Sequence, residues 1–143
     1  MTVALTALDI IGGPTAAGGP AEQGFDLVRL VRRGLSVRAL QHVIDTGRLT
    51  RAEVDSVVLP RKTLANRQKL GTLTQDQSDR LVRVARILAA AEETFGAREK
   101  AGAWLRRPTA LLAGDRPLDM LDTDEGTRKV EALLGRIGHG IAA

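Results

Sequence analysis

The sequence predicts an all-α fold, on three observations. No stretch alternates polar and apolar residues with period two, the pattern of a half-buried strand. Helix-start signals recur: Thr50 with Glu53, and Thr74 with Gln77, have the capping-box spacing in which two side chains satisfy the orphan N–H groups of a first turn. Aromatic residues are scarce, with Phe25, Phe95 and Trp104 the full set, so the core must be mostly Leu, Val, Ile and Ala, which favours packed helices.

The elements follow in order. Phe25, Leu27, Val28, Leu30 and Val31 give a short helical stripe that Gly34 ends. Ser36 caps a second helix carrying Val37, Leu40, Val43 and Ile44, closed by Gly47. The Thr50 box opens a helix with Val54, Val57 and Val58 on it. Pro60, suited to a first helical turn, precedes the next helix, Arg61 to Leu70, which Gly71 stops. The Thr74 box starts the longest helix, about 74–95, where Leu81, Val84, Ile87 or Leu88, Ala91 and Phe95 recur at helical spacing until Gly96. A further helix runs to about Arg107, where Pro108 prevents continuation. Thr123 or Asp124 can cap a last helix with Val130, Leu133, Leu134 and Ile137 on one face.

A chain of 143 residues holds one ordinary domain or two very small ones. With no cysteine there is no disulfide framework and no thiolate metal site, which fits a reducing cytosol. No run approaches the roughly 20 apolar residues that span a bilayer, so no membrane partner is expected. Met1 to Ile11 is apolar but lacks the Lys/Arg of a signal n-region, and Gly12-Gly13-Pro14 with the stretch to Pro20 reads as a flexible leader.

The net charge of +4 hides an asymmetry. Residues 26–70 hold ten Lys/Arg against four Asp/Glu, whereas residues 71–143 hold eleven of each. A contiguous basic region of this kind suits a nucleic-acid-binding surface. Within it, Thr50–Val58, a short turn and Arg61–Leu70 have the proportions of a helix-turn-helix, whose second helix enters the major groove. Arg61, Lys62, Thr63, Asn66, Arg67 and Lys69 are polar members of that helix suited to meet DNA, with Leu64 available to anchor it inward. Arg and Asn suit bidentate readout of guanine and adenine, and Lys suits phosphate. The alternative is a solvated basic face without a ligand.

The C-terminal forty residues have a different character. Trp104 to Pro108, Gly114 to Leu121 and the glycine-spaced Arg136-Ile137-Gly138-His139-Gly140-Ile141 are too irregular for a plain amphipathic helix and too apolar for a disordered tail. Between 115 and 125 five acids face one base, Arg116. Those acids lack the spacing of a calcium loop and read as structural or partner-facing. Trp104 is either a partner's anchor or, in preference, a core plug; His42 reads as a helix-surface residue; His139 has no companions that would make it a metal ligand. There is no Ser-His-Asp arrangement, phosphate loop or metal motif, so no catalytic residue, cofactor or metal is expected.

Three stretches carry a family resemblance. Pro60-Arg61-Lys62-Thr63-Leu64, Gly71-Thr72-Leu73-Thr74 and Ser78-Asp79-Arg80-Leu81 with Arg83 form the first. Ala91-Glu92-Glu93-Thr94-Phe95-Gly96 leading to Ala103-Trp104-Leu105-Arg106-Arg107-Pro108 form the second. Gly114, Pro117-Leu118-Asp119-Met120-Leu121, Gly126, Val130-Glu131, Leu133 to Ile137 and His139-Gly140 form the third. From about Leu35 onward the chain resembles the Xre/MbcA/ParS antitoxins of bacterial RES–Xre toxin–antitoxin pairs.

The resemblance implies an Xre-like helix-turn-helix domain followed by a small helical toxin-binding domain. The implied division is a leader over 1–24, a DNA-binding and dimerisation domain over 25–73, a connecting helix over 74–95 and a toxin-binding domain over 96–143. It implies a cytoplasmic protein that is no enzyme, that neutralises a cognate RES-domain, NAD-consuming toxin, pairs with itself through its N-terminal domain and binds its operator. Pro117, Leu118, Asp119, Arg136, Ile137, His139, Gly140 and Ile141 are the implied toxin contacts. Glycines in the tail let it follow an irregular surface, and Arg136 and His139 could meet a negatively charged pocket. The competing readings are a stand-alone helix-turn-helix regulator and an antitoxin that has lost DNA binding.

Overall fold

A computed structural model describes residues 5–19 and 24–140. Among them α-helices follow one another as α1 (Ala7–Ile10), α2 (Gly13–Ala17), α3 (Gly24–Arg33), α4 (Val37–Asp45), α5 (Arg51–Val57), α6 (Arg61–Leu70), α7 (Gln75–Phe95), α8 (Arg98–Leu105) and α9 (Asp124–Gly138). Two 3₁₀ turns, Ala110–Leu112 and Pro117–Asp122, lie between α8 and α9. The fold is all-α, as the capping signals and the absent alternation predict. The predicted boxes form: Thr50 Oγ1 accepts from Glu53 N at 3.1 Å, and Thr74 Oγ1 from Gln77 N at 3.1 Å. Each such cap stabilises its helix by about 1 kcal/mol.

The leader is a correction. Residues 5–19 are not a loose segment but contain α1 and α2, and Thr6 with Asp9 forms a third capping box. Ile10 and Ile11 are fully buried, which contributes about 2 kcal/mol each and explains why the segment is held down. Leu5 N donates to Glu93 Oε1 at 2.6 Å, and Ser36 N to Ala17 O at 3.1 Å, so α7 and the α3–α4 junction both tie the segment in place.

The second correction concerns α7. Far from merely connecting two units, it packs against α1, α3, α8 and α9, and Leu81, Val84, Ala85, Ile87, Leu88 and Ala91 are buried along it. One continuous set of buried residues runs from Ile10 to Leu134. The third correction is the tail: α9 continues through Gly135 to Gly138, so those two glycines sit in a helix and only Gly140, at φ 74°, lies beyond it. Trp104 is half-buried with its ring centroid 5.4 Å from that of Phe95, on the core side as preferred from the sequence.

The α3–α4 and α6–α7 junctions are bound together, which seats the helix-turn-helix on the spine. Val37 N donates to Gly71 O at 3.0 Å and Leu73 N to Leu35 O at 2.8 Å. Ser78, fully buried on α7, accepts from Leu35 N at 2.8 Å and donates to Thr74 O at 2.7 Å. No described helix is long and apolar enough to cross a membrane.

Candidate nucleic-acid interface and partner surface

Three residues, Val58, Leu59 and Pro60, join α5 to α6. No glycine is needed there, because Val58 and Leu59 turn inward and are each 2% exposed. Pro60 supplies no capping side chain, and Asp55 Oδ1 takes that part by accepting from Arg61 N at 2.8 Å. Leu64 is the buried residue of α6. A helix this polar is stable only when something holds it, and Leu64 with the two junction loops does so.

The six residues expected to meet DNA divide. Arg61, Lys62, Asn66 and Lys69 are exposed on α6. Thr63 and Arg67 are half-buried, and Arg67 Nε donates to Thr72 O at 2.7 Å. Arg67 therefore braces the end of the helix, leaving three cations and the amides of Asn66 and Gln68 exposed.

The C-terminal residues are clamped directly onto α5. Arg106 makes a two-pronged ion pair with Glu53, at 2.8 and 2.9 Å, and donates to Arg48 O at 3.1 Å. Glu53 Oε1 also accepts from Thr50 N at 2.8 Å, so one carboxylate serves both the α5 cap and the clamp. Arg48 pairs with Glu92 of α7 in the same two-pronged way, at 2.7 and 3.0 Å.

Burial pushes the Glu53 carboxyl up, but hydrogen bonds from Arg106 and Thr50 and the Arg106 charge outweigh it and hold the group below its ordinary range. A lowered folded-state pKa stabilises the fold above the ordinary carboxylate range, and that stability is lost as pH falls through the folded value. The melting-temperature gap between the native chain and Glu53→Gln is therefore expected to shrink between about pH 6 and about pH 2. A gap that stays constant over that range would remove Glu53 from the acid limb.

The partner residues expected from sequence also divide. Pro117 and Leu118, expected to face a toxin, are buried beneath the turn, with Leu118 only 2% exposed. The reason is the three-residue period of the 3₁₀ turn, which puts Leu118 and Leu121 on one face, and the turn packs against α5 and α9. Asp119 points outward and pairs with Arg116 at 2.8 and 2.9 Å, and those hydrogen bonds hold its carboxyl below the usual range. On α9, Arg136 is exposed, whereas Ile137 is half-buried against the core. His139 and Gly140 are exposed just beyond, and His139 Nδ1 donates to Gly135 O at 2.6 Å. Ile141 lies outside the described residues.

Sequence reasoning missed Leu111, which is 51% exposed. Leu111 and Leu112 are identical neighbours, and only the closure of their loop decides which one goes inside. Among the described residues no group of three or more His, Asp or Glu is placed to hold a metal ion.

Comparison with known proteins fits this geometry. Two family models match: an antitoxin Xre-like helix-turn-helix domain over residues 26–86, and an antitoxin Xre/MbcA/ParS C-terminal toxin-binding domain over 90–140. Antitoxin Xre of Pseudomonas putida is 38% identical over 117 residues, covering 81% of this chain and 73% of the relative. The chain belongs to the Xre antitoxin family. Antitoxin Xre of Yersinia enterocolitica is 31% identical across 87% of this chain and 86% of its own. A Sphingobium protein named Prs ADP-ribosylating antitoxin is 34% identical over 91 residues, covering 57% of this chain and 55% of its own. The boundary between the two Xre matches falls inside α7, the helix on which α3 of one half and α8 and α9 of the other all pack.

Proposed function

We propose that this Xre antitoxin binds a RES-domain, NAD-consuming toxin encoded beside it, covers the toxin's active site, and represses its own operon as a homodimer in the bacterial cytoplasm. The observation that carries the reading is the union, in one core, of an exposed cationic helix, α6, with α9, beyond whose last packed residue, Ile137, stand His139 and Gly140. The protein acts by occupancy and not by catalysis. Arg136 and His139 present charge and hydrogen-bonding capacity to a negatively charged pocket, such as one holding an acidic catalytic residue. The Sphingobium relative's name ties it to ADP-ribosylation, a chemistry in which NAD⁺ donates the ADP-ribose.

Asp119, Arg136, Ile137, His139, Gly140 and Ile141 are the toxin-facing residues in this reading, while Pro117 and Leu118 hold the turn from inside. On DNA, Arg61 and Asn66 meet base edges, and Lys62 and Lys69 meet phosphates. Self-pairing uses the groove between α3 and α7, where Leu27, Val28, Val31 and Val82 form an apolar floor beside Arg32 and Asp79. Arg32 and Asp79 carry opposite charges at its edge, as a self-complementary two-fold interface requires.

The test is co-expression with the neighbouring reading frame. Deleting residues 136–143 should release toxicity while operator affinity stays within about threefold, a change of under 1 kcal/mol. Arg61→Ala with Asn66→Ala should do the reverse, weakening operator binding about 100-fold or more while protection persists. Full protection by the 136–143 deletion would overturn the active-site reading.

A further inference from the structure

The loop between α8 and the 3₁₀ turn Pro117–Asp122 is built to hold one leucine outside the fold. Both of its ends are fixed beside α5. Arg106 grips Glu53, and Arg116, paired with Asp119, lines the same cleft as Glu53. Between those anchors the backbone closes on itself. Thr109 N donates to Asp115 O at 3.2 Å, Gly114 N to Thr109 O at 2.9 Å and Asp115 N to Leu112 O at 3.1 Å. Leu112 N donates to Thr109 O and Ala113 N to Ala110 O, both at 3.1 Å, and Leu111 N donates to Thr109 Oγ1 at 3.3 Å.

Leu112 is drawn into the core, with 7% of its surface left, and that choice turns Leu111 outward at 51%. From Ala110 to Gly114 there is no polar side chain, and every residue but Leu112 is exposed. The tip is therefore apolar, with exposed Arg107 and Asp115 at its margins. Among the described residues Ala113, at φ 58°, is the only non-glycine residue with a positive φ. Such strain persists only where the surroundings impose it, and it gathers at binding surfaces.

We propose that the Ala110–Gly114 tip is an anchor for the toxin, with Leu111 inserting into an apolar pocket on the toxin's surface. This rests on the toxin-binding reading above and adds to it a contact surface distinct from the α9 end. Three large apolar side chains are exposed among the described residues, Val28, Leu70 and Leu111. Only Leu111 lies within the segment matched to a toxin-binding domain, whereas Val28 and Leu70 belong to the helix-turn-helix match. An apolar centre within a polar rim is the anatomy of an interface hot spot.

The experiment titrates the purified product of the neighbouring reading frame, rendered catalytically inactive, with the full-length chain and its variants. Leu111→Ser is expected to weaken binding about 30-fold or more, while Leu111→Met stays within about threefold. Melting temperature and operator affinity should stay close to those of the native chain, since Leu111 is 51% exposed and lies outside the helix-turn-helix match. Leu111→Ser binding within about threefold of the native chain overturns the proposal. So does a shift of Leu111→Ser to a smaller oligomer without loss of toxin affinity, which would make a second copy the occupant. If the 136–143 deletion weakens binding and Leu111→Ser does not, the tip alone is wrong. If the native chain does not bind the partner, the functional reading fails and takes the tip with it.

Discussion

Replacing Glu92 with alanine is expected to lower the unfolding free energy by about 3–5 kcal/mol. Arg48 and Glu92 form a largely buried ion pair, with 9% and 11% of their side-chain surface open to water. Removing one partner of such a pair leaves the other desolvated and uncompensated, which costs more than the pair itself contributes. The surroundings sharpen the effect. Arg48, Arg98 and Arg106 all line one small cavity at the α4–α5 and α7–α8 junctions, and Glu92 is the only acid lining it. Without that carboxylate the three arginines lining the cavity have no acid among its walls, and Arg48 loses its ion-pair partner. Urea denaturation measures the loss directly. Arg48→Met combined with Glu92→Leu should recover most of it, because an apolar pair of similar volume carries no desolvation penalty. A loss below about 1 kcal/mol for Glu92→Ala would mean that water reaches the pair as it reaches surface ion pairs.

Gly34→Ala is expected to cost about 3 kcal/mol, and its damage should concentrate in the DNA-reading half. Gly34 sits at φ +99°, where an L side chain is strained whatever the space. Space is also lacking, since an added Cβ would be driven into hard contact with the Leu73 carbonyl oxygen. Relief would require the α3–α4 junction to part from the α6–α7 junction, giving up the bonds from Leu73 N to Leu35 O and from Val37 N to Gly71 O. Those bonds seat the C-terminal end of α6. Circular dichroism melting gives the stability loss, and operator titration should show weakened binding even well below the melting point. An unaltered operator affinity would show that α6 is held by Leu64 and the α5 turn alone.

What the sequence disclosed about this fold depended on range. Capping boxes at Thr50 and Thr74 involve residues three apart, and they form where their spacing says. The same signature at Thr6 and Asp9 passed unnoticed because Gly12-Gly13-Pro14 nearby suggested a loose chain. What secures that segment is the burial of Ile10 and Ile11 and packing on α7, and those partners lie some eighty positions away in the chain, about the separation of Leu5 and Glu93. The exposed cationic face of α6 was legible because a helix with one buried apolar anchor has only one way to dock. The bond from Arg67 to the Thr72 carbonyl was not legible, since it depends on how Gly71 turns the chain.

The partner surface was harder. Pro117 and Leu118 have the apolar composition of a docking turn and equally that of a core turn, and only the register of the 3₁₀ helix against α5 separates the two. Leu111 was invisible for the opposite reason: its exposure follows from a ring of backbone hydrogen bonds that no side-chain pattern encodes. Arg136 and His139 were placed outward by their chemistry, and they are outward.

The shared carboxylate of Glu53 has a consequence for how the protein is made and lost. Translation delivers the recognition helix well before Arg106 and the turn that packs over α5. The nascent DNA-reading half thus waits for its clamp, with Glu53 holding only the Thr50 cap until the downstream chain arrives. A product of interrupted synthesis, or a fragment cut after α7, lacks the Arg106 clamp and the whole partner-facing half at once. The two halves are then completed together at the end of synthesis, and a protease that opens the one core ends both in a single event.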